Sequence, residues 1–361
     1  MIAHKSLKII VTLTLTLALF PFNAFAKADS QAEEPKDEFN PTEMIMNHIG
    51  DSHSWHFFGE GEDSFSLPLP VILFTENGLV SFMSSAFHHD TEGHHVVEKD
   101  GMRFVNYHED IYRLEAGAET VEFNEEDAPL NASKPWDFSI TKNVAAMFLT
   151  VILMLWFFFG LAGHHKKNEK APSGFNNILE TLVLFVRDEI ARPQIGDKKY
   201  MKFMPFLLTV FFFIWITNLL GLLPGAANVT GNIAVTVSLG LFTLALILIN
   251  GNKDFWKHTF WMPGIPTWVK PILAIVEGLG LIIKPLALMI RLFANITAGH
   301  IIILSLIGLI FILESAGVAG ISVPFALFIT VLELLIAFLQ AFIFTILSAL
   351  FIGMAVEEHD H

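Results

Sequence analysis

Cysteine is absent from the chain. No disulfide supports any exported part, which must hold together by packing or by docking. Also missing are HExxH, GxSxG and P-loop signatures, and the glycines near 278–280 and 317–320 are too scattered to cradle a phosphate. No internal repeat is visible, which argues against a repeat-built transporter. Positive charge is scarce, with 22 Lys plus Arg against 36 Asp plus Glu. The deficit is concentrated. Residues 27–135 hold 23 acids and 6 bases, a balance of −17 against −14 for the whole chain, so the remainder is slightly basic.

What is present divides into two kinds of sequence. Met1 to Ala26 carries Lys5 and Lys8, an apolar run from Ile9 to Phe20, and then Ala24-Phe25-Ala26. This is the form of a secretory signal peptide cleaved before Lys27, with a short signal anchor as the alternative. Either way, residues 27–135 are expected outside the cytoplasm. After a solvated linker, Phe65 to Phe74 with the turn Glu76-Asn77-Gly78, Val80 to Phe87 and Phe104 to Leu114 predict strands of a small β-rich domain. This region holds 8 of the 15 histidines, including His88-His89-Asp90 and His94-His95. Nothing in their spacing fixes a tetrahedral geometry, so no metal is expected there.

The rest, residues 136–361, reads as an all-α polytopic membrane domain. Phe138 to Gly163, Phe203 to Leu223, Ile233 to Ile249, Pro271 to Leu313 and Phe325 to Val356 are apolar and long enough to span. Ser315 to Gly320 and Pro324 predict the turn between the last two. Phe175 to Ala191 has the spacing of an amphipathic helix at the membrane interface. Basic flanks at His164-His165-Lys166-Lys167, Lys198, Lys199, Lys202, Lys253 and Lys257 mark the cytoplasmic ends. The predicted topology is five passes plus one interfacial helix, with the amino end outside and the carboxyl end inside.

Polar residues interrupt the last two spans. Glu277, Lys284 and Arg291 fall at seven-residue intervals, Asn295 follows four later, and all share roughly one helix face. His300 lies about half a turn round. Glu333 and Gln340 are again seven apart. A guanidinium at mid-bilayer costs about 3 kcal/mol or more. Glu277 is about 21 Å from Arg291 along a straight helix, and Lys284 repels it. The compensating anion must therefore come from another helix or another subunit. Glu333 and His300 are protonatable and suit a relay; Gln340 and Asn295 suit interhelical hydrogen bonds. Glu277, near the start of its helix, suits proton exchange with water or a cap on the local dipole. Lys284 reads as a side chain that snorkels to the interface. One helix over Pro271 to Leu313 would be roughly 60 Å long, about twice a hydrocarbon core, so it must break or tilt steeply.

The run Arg291-Leu292-Phe293-Ala294-Asn295-Ile296-Thr297-Ala298-Gly299-His300, with Gln340-Ala341-Phe342-Ile343-Phe344, resembles subunit a of the F-type ATP synthases. Thr217-Asn218-Leu219-Leu220-Gly221-Leu222-Leu223-Pro224 resembles another segment of that family, and the likeness spans about residues 136–358. It implies a proton-translocating stator subunit of a bacterial inner membrane. Arg291 would face the carboxylate of the rotating c-ring and separate two aqueous half-channels. His300, Glu333 and Gln340 would belong to the outer half-channel and Glu277 to the cytoplasmic side, with Asn295 also among the proton-translocation residues. The implied partners are the c-ring, the peripheral-stalk subunit b, the rest of the complex and lipid; neither a cofactor nor nucleic acid is implied. The subunit would be non-catalytic.

Two departures from the family pattern stand out. Many bacterial members carry Glu at the position of His300 and His at that of Glu333. The loop Gly231-Asn232-Ile233-Ala234 also lacks the acids often found there. The signal peptide and acidic domain lie outside the likeness. The alternative is a stand-alone secondary ion or metal transporter with the histidines as a metal collector.

Overall fold

The computed structural model describes residues 45, 49–58, 65–115, 117–124, 129–167, 174–223, 225–262, 264–313 and 315–357. The signal peptide expected over residues 1–26 lies outside them.

The first part is built from antiparallel strands: β1 (Ser54–Phe58), β2 (Phe65–Pro68), β3 (Pro70–Thr75), β4 (Gly78–Met83), β5 (Val97–Lys99), β6 (Met102–Tyr107), β7 (Asp110–Leu114), β8 (Ala132–Ser133) and β9 (Trp136–Asp137). They form three small sheets, β1–β2, β4–β3–β9 and β5–β6–β7–β8. Along β3 the side chains alternate, so Val71, Leu73 and Thr75 are buried while Phe74 faces out. Val71, Leu73 and Val80 meet Phe104 and Ile111 in one core.

Three strand expectations need correction. The run from Phe65 to Phe74 is two strands, because Leu69 leaves the pairing between Pro68 and Pro70, and its N–H goes to Ser84 Oγ at 3.0 Å. Val80 to Phe87 ends as a strand at Met83; Ser84–Phe87 is a 3₁₀ turn closed by His88 in the left-handed region. Phe104 to Leu114 is a hairpin. His108 and Glu109 both have positive φ, which lets a two-residue turn follow the strand twist without the usual Asn-Gly.

The second part is helical: α1 (Lys142–Lys167), α2 (Phe175–Phe185), α3 (Arg192–Ile195), α4 (Tyr200–Gly221), α5 (Ile233–Asn250), α6 (Lys253–Phe260), α7 (Lys270–Leu313) and α8 (Ala316–Val356). Five of these, α1, α4, α5, α7 and α8, are long and apolar enough to cross a membrane. The expected amphipathic helix runs on past Ala191. A π turn over Val186–Ala191 joins α2 to α3, and it buries Val186, Ile190 and Ala191 in the helical core. The turn expected over Ser315 to Gly320 is far shorter, since α8 is already helical from Ala316 and includes Pro324. α7 passes through Pro285 unbroken and is about 66 Å long.

The two parts meet closely. Asp51 accepts from Asn143 N at 3.1 Å and from Thr141 Oγ1 at 2.8 Å, holding the start of α1. His53 is buried between two carboxylates, with Nε2 2.8 Å from Asp137 and Nδ1 3.5 Å from Glu109. Burial alone would lower this imidazole, but the two carboxylates outweigh it and raise the pKa to about 9. Burial opposes ionisation of Asp137 too, yet hydrogen bonds from His53 and Ser139 hold its carboxyl below the usual range. Trp55 on β1 donates through Nε1 to Gly225 O at 2.8 Å, in the connection between α4 and α5.

Candidate functional site

α7 and α8 run antiparallel, and their polar residues meet along the seam. Asn295 Nδ2 donates to Gln340 Oε1 at 3.0 Å, and Gln340 is fully buried. Two turns nearer the β-rich part, Glu333 is buried against α7, where Gly299 leaves the room it occupies; a Cβ at Gly299 would overlap its carboxylate. Next along, His300 reaches the end of α4. A Cβ placed on Gly221 would lie 3.8 Å from His300 Nε2 and 3.6 Å from Ala227 O. Close by, Thr230 Oγ1 donates to Asn218 Oδ1 at 2.6 Å, both residues being buried.

Several atoms here lack a hydrogen-bond partner. Among the described residues, Glu333 Oε2, Thr297 Oγ1 and Asn218 Nδ2 are buried without a hydrogen bond. In the hydrocarbon layer such atoms are costly, and they are tolerated where they line a wet path or serve an incoming group. Arg291 sits one turn before Asn295 on an exposed stretch of α7 and forms no ion pair among the described residues. Its charge is thus presented outward from the α7–α8 pair.

The structure therefore brings His300, Glu333, Asn295 and Gln340 into one seam, with Arg291 at its end. Glu277 stands apart. It lines a cavity of about 230 Å³ at the opposite end of the helices, together with Asp254, His258, Lys284 and Glu357. Lys284, read from the sequence as snorkelling, belongs to this cavity, its Nζ 5.6 Å from the Phe351 ring centre. Asn218 was not singled out by the sequence reading, although its place inside an otherwise apolar span is a signal that could have marked it. Asn232 caps α5, accepting from Ala234 N at 2.9 Å. In the β-rich part, His88 and His95 pack edge to face at 4.5 Å, and the His95 N–H donates to Asp90. No three His, Asp or Glu side chains among the described residues converge as a metal site.

Comparison with known proteins bears on the family of the chain. The model of the ATP synthase A chain family matches residues 144–353, and a model described as a domain of unknown function matches residues 44–138. The chain is 48% identical over 233 residues to ATP synthase subunit a of Chloroherpeton thalassium, covering 63% of this chain and 69% of the relative. Against the subunit a of Myxococcus xanthus it is 47% identical over 231 residues, covering 62% and 75%. ATP synthase subunit a 2 of Prosthecochloris aestuarii is 41% identical over 314 residues, covering 82% of this chain and 94% of the relative. That last alignment reaches beyond the helices into the β-rich part. With its family match running over more than half its length, this multi-pass membrane protein belongs to the ATP synthase A chain family.

Proposed function

We propose that the chain is the proton-translocating stator subunit of an F-type ATP synthase, working against a c-ring and held by the peripheral-stalk subunit b. The observation that carries this reading is Arg291, exposed on α7 without an internal carboxylate, at the end of a seam of buried polar groups. In this reading, residues 1–26 are removed on export and residues 27–135 lie outside the inner membrane. Residues 136–361 form the membrane domain, with its carboxyl end in the cytoplasm.

A proton from outside passes His300 and Glu333 and neutralises a ring carboxylate. That carboxylate then turns to face lipid, because the cost of burying its charge is gone. A deprotonated neighbour meets Arg291, whose guanidinium stabilises the anion and blocks direct leakage between the two half-channels. Gln340 and Asn295 hold the seam in register beside it. The released proton leaves through the cavity lined by Glu277. Each charge crossing 100 mV releases about 2.3 kcal/mol, so several are needed for one ATP made elsewhere in the complex. The chain itself is not catalytic.

The test is Arg291→Ala in the assembled complex in vesicles. ATP-driven proton uptake present in the wild type and lost in the variant, with assembly intact, is the expected result. Normal pumping by the variant overturns the reading, and flux through the isolated chain without a ring favours a transporter.

A further inference from the structure

We infer that Trp55, in the β-rich domain, is a positioning residue for the outer half of the proton path. This rests on the half-channel reading above. Among its described residues, the connection between α4 and α5 has only a 3₁₀ turn, Val229–Gly231, as regular structure, so its shape depends on what it packs against. One wall is internal, through Thr230 and Asn218. The other wall is β1.

Trp55 Nε1 donates to Gly225 O at 2.8 Å, and the Trp55 ring packs on Ala146, Ala227 and Val229. The strand backbone also presses on this loop. Gly225 has φ +73, and a Cβ there would stand 3.0 Å from Phe57 Cα and 3.1 Å from Phe57 O. Only glycine meets both demands. Two residues on, Ala227 O and His300 Nε2 border the same Gly221. A shift of β1 therefore reaches the imidazole through Gly225, Ala227 and Gly221. The charged or titratable groups around this corner are His56 on β1, His300 on α7 and Glu333 on α8. Across the junction are Asp51, His53, Glu109 and Lys142. The domain thus forms one wall of the proton inlet, and Trp55 sets where the loop beside His300 stands.

The experiment measures ATP synthesis by the whole complex in vesicles at fixed potential while the outside proton concentration is varied. It compares wild type, Trp55→Phe and Gly225→Ala, each rate normalised to assembled complex. Trp55→Phe keeps the ring packing and removes the donor; Gly225→Ala pushes the strand away from the loop side. Both are expected to raise the outside proton concentration for half-maximal rate about fivefold, the size of one lost neutral hydrogen bond, with the maximal rate largely kept. An unchanged half-maximal concentration in both variants, whether or not less complex assembles, overturns the inference. A wild-type complex showing no proton-driven synthesis removes the half-channel reading and this one together, whereas unchanged constants in a working complex remove this one alone.

Discussion

In the β-rich domain, the buried His53 has a carboxylate at each ring nitrogen, and Asp51 spends its oxygens on the start of α1. In the helical region, Glu333 Oε2, Thr297 Oγ1 and Asn218 Nδ2 are buried with no partner, and Arg291 points its charge away from its own helix pair. The charged groups are paired in one place and left open in the other, although His53 Nδ1 makes only the 3.5 Å ion pair and Asn106 Oδ1 in the β-rich domain is also buried without a hydrogen bond. A paired buried charge adds to docking and specificity. An unpaired one lowers stability and has to serve something outside the fold, such as water, a proton or a partner's carboxylate. In the function proposed above, the contrast separates groups that hold the molecule together from groups kept for transport.

Three substitutions break or sharpen this contrast. The largest effect is expected at Glu333→Leu. Proton flux should fall to background, while the melting temperature of the purified chain stays level or rises, by about 1–3 kcal/mol of stability, because an unsatisfied buried group has been removed. A clear loss of stability would place Glu333 with the structural charges instead.

His53→Leu should act in the opposite sense. It leaves Asp137 and Glu109 facing an apolar side chain, and since both are partly exposed the loss is about 2 kcal/mol, read as faster amide exchange in β6 and β7. The sign with pH follows from the raised imidazole. Its contribution is full below the ordinary value of 6.5 and disappears as the pH climbs through about 9. Asp137, with its lowered carboxyl, sets the other limit, and its contribution is lost as the pH falls through that lowered value. The wild-type domain should therefore loosen as the pH climbs from about 6.5 to about 9, and the variant should lack that alkaline step.

Arg113→Ala should do the least. Its guanidinium is 3.8 Å from Glu76, whose side chain is 88% exposed, and such a pair contributes less than about 0.5 kcal/mol. A large change in a thermal melt would mean that surface charges matter here as much as buried ones.

Much of the helical region was legible in advance because its signal is local. Long apolar runs needed no knowledge of neighbours, and Arg291, Glu333 and Gln340 stood out by the cost of placing them in lipid. Less was legible where a residue's conformation depends on a distant partner. The hairpin turn at His108-Glu109 carries no Asn-Gly signal, and its Glu109 carboxylate accepts from His53 N, 56 positions away. The same holds for Ser84, which leaves the strand and takes the Leu69 N–H. Lys284 shows the limit at the site: by spacing it shares a stripe with Glu277 and Arg291, but only the folded chain puts it in the Glu277 cavity.

By itself the sequence determined that this chain has an acidic, β-rich amino-terminal region and a five-span helical region, and which polar residues lie within those spans. These follow from side-chain hydrophobicity and charge, which each residue carries wherever it goes. Only the tertiary structure decided that Asn295 meets Gln340, that Gly299 makes room for Glu333, that Lys284 shares a cavity with Glu277, and that Trp55 lies against the loop beside His300. Those pairings join residues far apart in the chain. A contact of that kind depends on the packing of whole helices and strands against one another, which no short stretch of sequence encodes.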